Sequence, residues 1–158
     1  MTLEIAIVVC SDSRAAGEAE DTAGPAVRDL CERHGWSVRA VRVVPDERGV
    51  IADMIATLSD GRVDVVLTCG GTGFGPHDVT PEATLDVCPR EAPGVAEAIR
   101  AESMRITPRA MLSRGVAAIR DTTLVVNLPG SEKAAVESFG FVADQLEHAV
   151  EMMHGRGH

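Results

Sequence analysis

The stretch best suited to chemistry is a buried strand that runs into a glycine-rich loop and a single carboxylate. Residues 63–69 are mostly apolar and β-branched, which is typical of a strand covered on both faces. Four glycines follow within the six residues 70–75. Glycine lets the backbone approach a ligand closely, so that bare N–H groups can hold phosphate oxygens. With Asp78 just beyond, the pattern predicts a ligand loop at the end of a strand, where open α/β sheets bind ligands.

Glycines can also serve only to turn a corner, but a turn needs one or two of them. The two common nucleotide fingerprints do not name the ligand. The spacing Gly71-x-Gly73-x-Gly75 differs from G-x-G-x-x-G. A Walker A loop would need Lys-Ser or Lys-Thr after the glycines, and Lys133 is the only lysine in the chain.

A helix is predicted to start directly after the glycine loop. Thr80 can cap it, Pro81 fits the first helical position, and Glu82 suits the positive end of the helix dipole. A second proline start, Thr107-Pro108, precedes residues 110–115. The glycine loop therefore leads into the N-terminus of a helix, the usual arrangement for holding an anion.

Two further polar segments follow predicted strands. The strand Leu3–Val9 leads into Cys10–Arg14, which would lie on the ligand side of the sheet, although Ser13 and Arg14 also fit an ordinary hydrophilic loop. Asp46 follows the strand Trp36–Val44 and has two interpretations. It can cap the next helix, or it can join Asp78 around a hard divalent cation. Spacing alone favours the cap.

The elements that position these residues alternate between strands and helices. Val116–Ile119 and Thr123–Asn127 are predicted to form a hairpin, which adds one antiparallel strand to a mostly parallel sheet. A long helix beginning at Ser131 or Glu132 has apolar residues at helical spacing. With no linker or repeat in the sequence, residues 1–158 predict a single three-layer α/β/α domain.

Composition narrows the possible partners. The net charge of −9 argues against a general binder of nucleic acid or of anionic membranes, which needs a basic surface. The cysteines at 10, 31, 69 and 88 form no C-x-x-C pair, so a zinc site is not expected, and three of the four lie in or next to apolar segments and fit small buried residues. With neither a signal peptide nor an apolar run of 18 residues, we expect a cytoplasmic protein.

Five motifs together resemble those of the Mog/MoaB proteins of molybdenum-cofactor biosynthesis, in the family's order and from the first strand to the last helix. They are Pro45-Asp46-Glu47, Gly70-Gly71-Thr72-Gly73, Asp78-Val79-Thr80-Pro81-Glu82, Leu112-Ser113-Arg114 and Asn127-Leu128-Pro129-Gly130-Ser131. The resemblance implies an α/β/α sandwich, often a trimer, and a molybdopterin adenylyltransferase. Such an enzyme uses Mg²⁺, ATP and molybdopterin to form adenylylated molybdopterin and pyrophosphate.

The resemblance also implies roles for individual residues. Asp46 and Asp78 match the two aspartates associated with catalysis and magnesium, which shifts the interpretation of Asp46 away from a simple cap. The other implied positions are Gly70, Gly71, Thr72 and Gly73 for the nucleotide; Asn127, Pro129, Gly130 and Ser131 for the same pocket; Ser113 and Arg114 near the pterin phosphate; and Ser11, Asp12 and Ser13 on the ligand side.

Two other functions remain open at this point. A paralogue with the same pocket could carry molybdopterin without transferring AMP. A dinucleotide-dependent oxidoreductase is disfavoured by the missing fingerprint. We also expect that the partners are small-molecule substrates, that the protein forms a homotrimer, and that it passes its product to a molybdenum insertase.

Overall fold

The structure is a computed structural model that describes residues 1–157; His158, the last residue of the predicted domain, lies outside them. The strands are β1 (Glu4–Cys10), β2 (Ser37–Val44), β3 (Val65–Cys69), β4 (Arg90–Glu91), β5 (Ala117–Arg120) and β6 (Thr123–Leu128). The helices are α1 (Asp12–Ala15), α2 (Ala23–Arg33), α3 (Arg48–Asp60), α4 (Thr80–Val87), α5 (Pro93–Met104) and α6 (Glu132–Met153), with a 3₁₀ helix at Pro108–Leu112.

These strands form one mixed sheet in the order β2-β1-β3-β6-β5-β4. The neighbouring strands β2, β1, β3 and β6 are parallel. β5 pairs antiparallel with both β6 and β4, so within residues 1–157 it alone runs against the others. This confirms the predicted mostly parallel sheet with one antiparallel strand. The short edge strand β4 was not predicted, because two exposed residues carry no periodic signal.

Helices cover both faces of the sheet and produce the predicted three layers. On one face, Ile5, Ile7 and Leu67 pack with residues of α2, α5 and α6, including Phe139. On the other face, Ala6, Val8 and Val66 pack with residues of α3 and α4. Alternate residues of one strand thus enter opposite layers. The central strands are buried on both faces, which explains their continuous apolar sequence.

The predicted helix starts are confirmed at most positions. Ser131 caps α6, where its Oγ accepts from the N–H of Ala134 at 3.2 Å. Thr80 is a correction: the residue before α4 is Val79, and Thr80 is already helical. Its N–H donates to the carbonyl of Gly71 at 3.1 Å and its side chain is buried, so it fastens the glycine loop instead of capping the helix.

No helix in residues 1–157 combines the length and the apolar character needed to cross a bilayer.

Candidate functional site

Four loops meet where the parallel strands end. In the register of the sheet, Cys10 is level with Val44, and Cys69 is level with Leu128. The loops after β1, β2, β3 and β6 therefore leave the same edge of the sheet, as predicted for a ligand-binding edge. A hydrogen bond from the N–H of Gly70 to the carbonyl of Leu128 joins the loops after β3 and β6, at 3.0 Å.

Asp12 and Asp46 tie the loops after β1 and β2 together by a reciprocal pair of hydrogen bonds. The N–H of Asp46 donates to Asp12 Oδ1 at 2.8 Å, and the N–H of Asp12 donates to Asp46 Oδ2 at 3.0 Å. Helix α3 is preceded by Glu47, and it has no side-chain cap among the described residues. The interpretation of Asp46 as a helix cap is therefore wrong. Its carboxylate instead belongs to the rim of the site.

The second carboxylate oxygen of Asp46, Oδ1, is buried and makes no hydrogen bond within residues 1–157. Burial is the main cause that raises the pKa of Asp46, and the negative charges of Asp12 and Asp78 add to it, whereas the Asp12 N–H acts in the opposite direction. A desolvated, partnerless carboxylate oxygen is costly unless a proton, a cation or a ligand satisfies it.

The first two glycines of the loop adopt backbone conformations that side chains disfavour. Gly70 has φ +104° and Gly71 has φ +70°. A Cβ on Gly70 would collide with the carbonyl oxygen of Cys10, and one on Gly71 would collide with Thr80 Oγ1 and lie 3.4 Å from Asp46 Oδ1. These glycines therefore allow the loop to pass directly beside the Asp46 carboxylate.

Asp78 closes the same loop. Its Oδ2 accepts from the N–H of Gly75 at 2.9 Å, and its own N–H donates to the Gly75 carbonyl at 3.1 Å. A Cβ on either Gly73 or Gly75 would lie 2.9 Å from that Oδ2. The later glycines thus make room for the Asp78 carboxylate. Asp46, next to Gly71, and Asp78, next to Gly73 and Gly75, thus both lie against the glycine loop, although 32 positions separate them in sequence.

Arg114 lies beside the glycine loop, but its guanidinium is already engaged. Its Nε donates to the carbonyl of Gly73 at 2.8 Å, and Nη2 donates to that of Asp78 at 2.6 Å. Nη1 and Nη2 also bind the Glu82 carboxylate, the closest contact being 2.7 Å. The family resemblance implied that Arg114 lies near the pterin phosphate. In the structure, each of its three nitrogens contacts the protein's own oxygens.

Asn127 lies beneath the site and is buried. Its Nδ2 donates to Thr68 Oγ1 and Thr84 Oγ1, both at 3.0 Å, and its Oδ1 accepts from the N–H of Val116 at 3.1 Å. The amide therefore joins β6 to β3 and α4, and its contacts are internal. Sequence reasoning missed Thr68 and Thr84, because threonines in apolar segments carry no signal of their own.

The remaining predicted residues line the edges of the site. Ser11 Oγ caps α1 by accepting from the N–H of Arg14 at 3.3 Å, and it lies 3.3 Å from Ser13 Oγ. Gly130 passes close to Gly70, since a Cβ on Gly130 would lie 3.2 Å from the Gly70 Cα. Thr72 is buried in the glycine loop and Pro129 follows β6, whereas Ser113 lies outside the four loops, directly after the 3₁₀ helix.

A cavity of about 320 Å³ opens next to the glycine loop. Thr72, Gly73, Ser113 and Pro129 form its near side. The far side is built by α5, the 3₁₀ helix and α6, with Ile99, Ile106 and Leu112 among its apolar residues and Arg100 and Arg109 among its polar ones. Sequence reasoning did not find this cavity, since its walls are brought together only by the packing of three separate helices.

Asp46 and Asp78 are the residues best suited to hold a metal ion. Residues 1–157 contain no cluster of three or more His, Cys, Asp or Glu side chains arranged to ligate one. Mg²⁺, however, is usually bound by one or two protein carboxylates with water and substrate phosphates completing its shell. The partnerless oxygen of Asp46 beside the glycine loop fits that donor set.

Comparison with known proteins agrees with this geometry. Residues 6–148 match the family described as "probable molybdopterin binding domain". The crystal structure of the molybdopterin biosynthesis enzyme MoaB from Thermus thermophilus superimposes with a TM-score of 0.92 at 42% identity, covering 98% of each chain.

Relatives of known sequence give the same assignment. The molybdopterin adenylyltransferase of Escherichia coli is 37% identical over 163 residues, which cover 98% of this chain and 80% of the relative. The molybdenum cofactor synthesis protein cinnamon of Drosophila melanogaster is 38% identical over 96% of this chain. The chain spans only 26% of cinnamon's own length. The chain belongs to the molybdopterin-binding domain family that includes MoaB and molybdopterin adenylyltransferase.

Proposed function

We propose that this protein is a molybdopterin adenylyltransferase, which transfers AMP from ATP to the terminal phosphate of molybdopterin and releases pyrophosphate. The observation that carries the proposal is that Asp46, from the loop after β2, and Asp78 both lie against the glycine loop, with one Asp46 oxygen buried and unpaired within residues 1–157. The names of relatives such as the Escherichia coli enzyme support the same reaction.

In this reaction a phosphate oxygen of molybdopterin attacks the α-phosphorus of ATP. The bond from that phosphorus to the pyrophosphate oxygen breaks, and pyrophosphate leaves with the bond's electron pair. The protein therefore needs no nucleophile of its own. Its task is to align two polyanions and to stabilise the charge that develops on the phosphate oxygens.

The residues of the site divide this task. The positive-φ backbone at Gly70 and Gly71, which carries no side chain, suits a close approach of phosphate oxygens to the loop. Asp46 and Asp78 would hold Mg²⁺, which when bound neutralises phosphate charge. The adjoining cavity, apolar with two arginines at its walls, has room for a flat heteroaromatic ring of a substrate.

The experiment is a single-turnover incubation of the protein with molybdopterin and ATP, with and without Mg²⁺. We expect adenylylated pterin and pyrophosphate to form together and only when Mg²⁺ is present. Tight pterin binding without AMP transfer would overturn the enzyme assignment and identify a carrier of molybdopterin.

We further infer a cytoplasmic homotrimer that passes its product to a molybdenum insertase. The hand-over is supported by the molybdenum cofactor synthesis protein cinnamon, in which a segment like this chain makes up 26% of a longer protein. Sedimentation of the purified protein tests the trimer. Transfer of adenylylated pterin to an added insertase, faster than release into solution, tests the hand-over.

A further inference from the structure

Arg114 touches both ends of the segment that carries Asp78. At the start of the segment, the backbone N–H of Arg114 donates to the Thr72 carbonyl at 2.7 Å, and its side-chain Nε donates to the Gly73 carbonyl at 2.8 Å. At the end, its Nη2 donates to the Asp78 carbonyl at 2.6 Å. One side chain thus spans the segment from residue 73 to residue 78, while residues 74–77 between these contacts are exposed.

Glu82 holds the guanidinium in this orientation. The carboxylate, in the first turn of α4, receives hydrogen bonds of 2.7 Å and 3.1 Å from Nη1 and of 3.1 Å from Nη2. A planar guanidinium bound to two carboxylate oxygens has a fixed plane, unlike a lysine ammonium. Hydrogen bonding from Arg114 lowers the pKa of Glu82, which keeps the carboxylate charged at neutral pH.

We propose that Arg114, oriented by Glu82, is a positioning residue that fixes the Asp78 carboxylate for adenylyl transfer, and that it does not bind a substrate phosphate. Each of its three guanidinium nitrogens is occupied by a carbonyl or carboxylate oxygen of the protein. A phosphate would have to displace those partners and release the loop that carries Asp78. The kinetic part of this inference rests on the proposed function.

The variants that test it are Arg114→Lys, Glu82→Gln and the double variant. Lysine keeps the positive charge but cannot span three oxygens, whereas Glu82→Gln leaves Arg114 in place and removes its orienting charge. The matched control is the ion pair of Arg39 and Glu4, whose Nε and Oε2 lie 2.9 Å apart near the amino ends of β2 and β1, whereas the loops of the site follow the carboxyl ends of the strands. Arg39→Lys and Glu4→Gln should leave every readout unchanged.

Two measurements give separate answers. In steady-state kinetics, we expect Arg114→Lys and Glu82→Gln each to lower kcat by about 10- to 100-fold, because small displacements of a reacting group have effects of that size. KM for molybdopterin should change little, and the double variant should be no worse than the more impaired single variant. A raised KM in Arg114→Lys, with normal kinetics in Glu82→Gln, would show a phosphate ligand and overturn the proposal.

Amide hydrogen exchange tests the contact without relying on activity. We expect peptides covering residues 70–80 to exchange about tenfold faster in both variants, while α6 stays protected and so reports an intact fold. Unchanged exchange in this segment would overturn the proposal even if catalysis were lost. If the wild-type protein transfers no AMP, the adenylyltransferase assignment fails on its own, and the exchange result still decides the role of Arg114.

Discussion

At the scale of single residues, Asp46 and Asp78 differ in how they are held. Asp78 accepts a hydrogen bond from inside its own loop, whereas Asp46 exchanges bonds with Asp12 on a neighbouring loop. Both remain partly accessible. Their carboxylates are thus held beside the glycine loop, where under the proposed function they would bind the cation that neutralises phosphate charge.

Replacing Asp78 with Asn should separate folding from catalysis. The amide can still accept the hydrogen bond from Gly75 but has no charge for Mg²⁺, so we expect a normal melting temperature and a loss of at least about 100-fold in AMP transfer. Exposed Asp53 on α3 provides the control Asp53→Asn, which should be fully active. Turnover by Asp78→Asn with unchanged Mg²⁺ dependence would rule out this role.

Gly71→Val should abolish ATP binding in a folded protein. A β-branched side chain would meet Thr80 Oγ1 and crowd Asp46, and the positive φ adds about 1–2 kcal/mol of strain. Titration calorimetry with Mg-ATP measures the affinity, and circular dichroism checks the fold. As a control, a Cβ at Gly140 in α6 would meet no described atom within 4 Å apart from its chain neighbours and the nearby backbone of its own helix, so Gly140→Ala should bind ATP normally. Wild-type affinity in folded Gly71→Val would refute the loop's role.

At the scale of elements, the ion pair between Glu82 and Arg114 links α4 to the loop that follows the 3₁₀ helix. Because this pair lowers the folded-state pKa of Glu82 below its ordinary value of 4.5, it contributes stability that is fully present above pH 4.5. That contribution is lost as the pH falls through the lowered pKa. Unfolding by urea between pH 3 and 6 should show a smaller acid-induced loss of stability in Glu82→Gln than in the wild type.

Sequence patterns predicted the elements better than the contacts between them. Long apolar runs identified β1 and β3, and Ser131 identified the start of α6, because burial and capping are local properties. The roles of Thr80, Asp46 and Arg114 depend on partners 9, 34 and 32 or more positions away. The packing of the loops determines which partners these side chains meet. The sequence alone could therefore not show whether a given side chain caps a helix, binds a ligand or contacts another loop.

At the scale of the whole molecule, every cysteine is placed in the interior. Burial raises the pKa of Cys10 and Cys31 to about 12 and that of Cys88 to about 11, and it also raises the pKa of Cys69. The prediction of small buried residues, made for three of the four, is confirmed, and the fourth is buried as well. Native protein should therefore react slowly with a thiol reagent at pH 8, and four thiols should appear on unfolding. Rapid modification of the folded protein would contradict this.

The position of β6 in the sheet has a consequence for synthesis of the chain. β3 precedes β6 in the chain by more than 50 residues: β3 ends at Cys69, whereas β6, which pairs with its second edge, begins only at Thr123. Until then Val65–Cys69 presents an open, apolar backbone edge of the kind that pairs with other chains. The Gly130 loop that meets Gly70 comes later still. A nascent chain that stops before about residue 131 would therefore expose an edge prone to aggregation and would lack the Gly130 loop that meets Gly70.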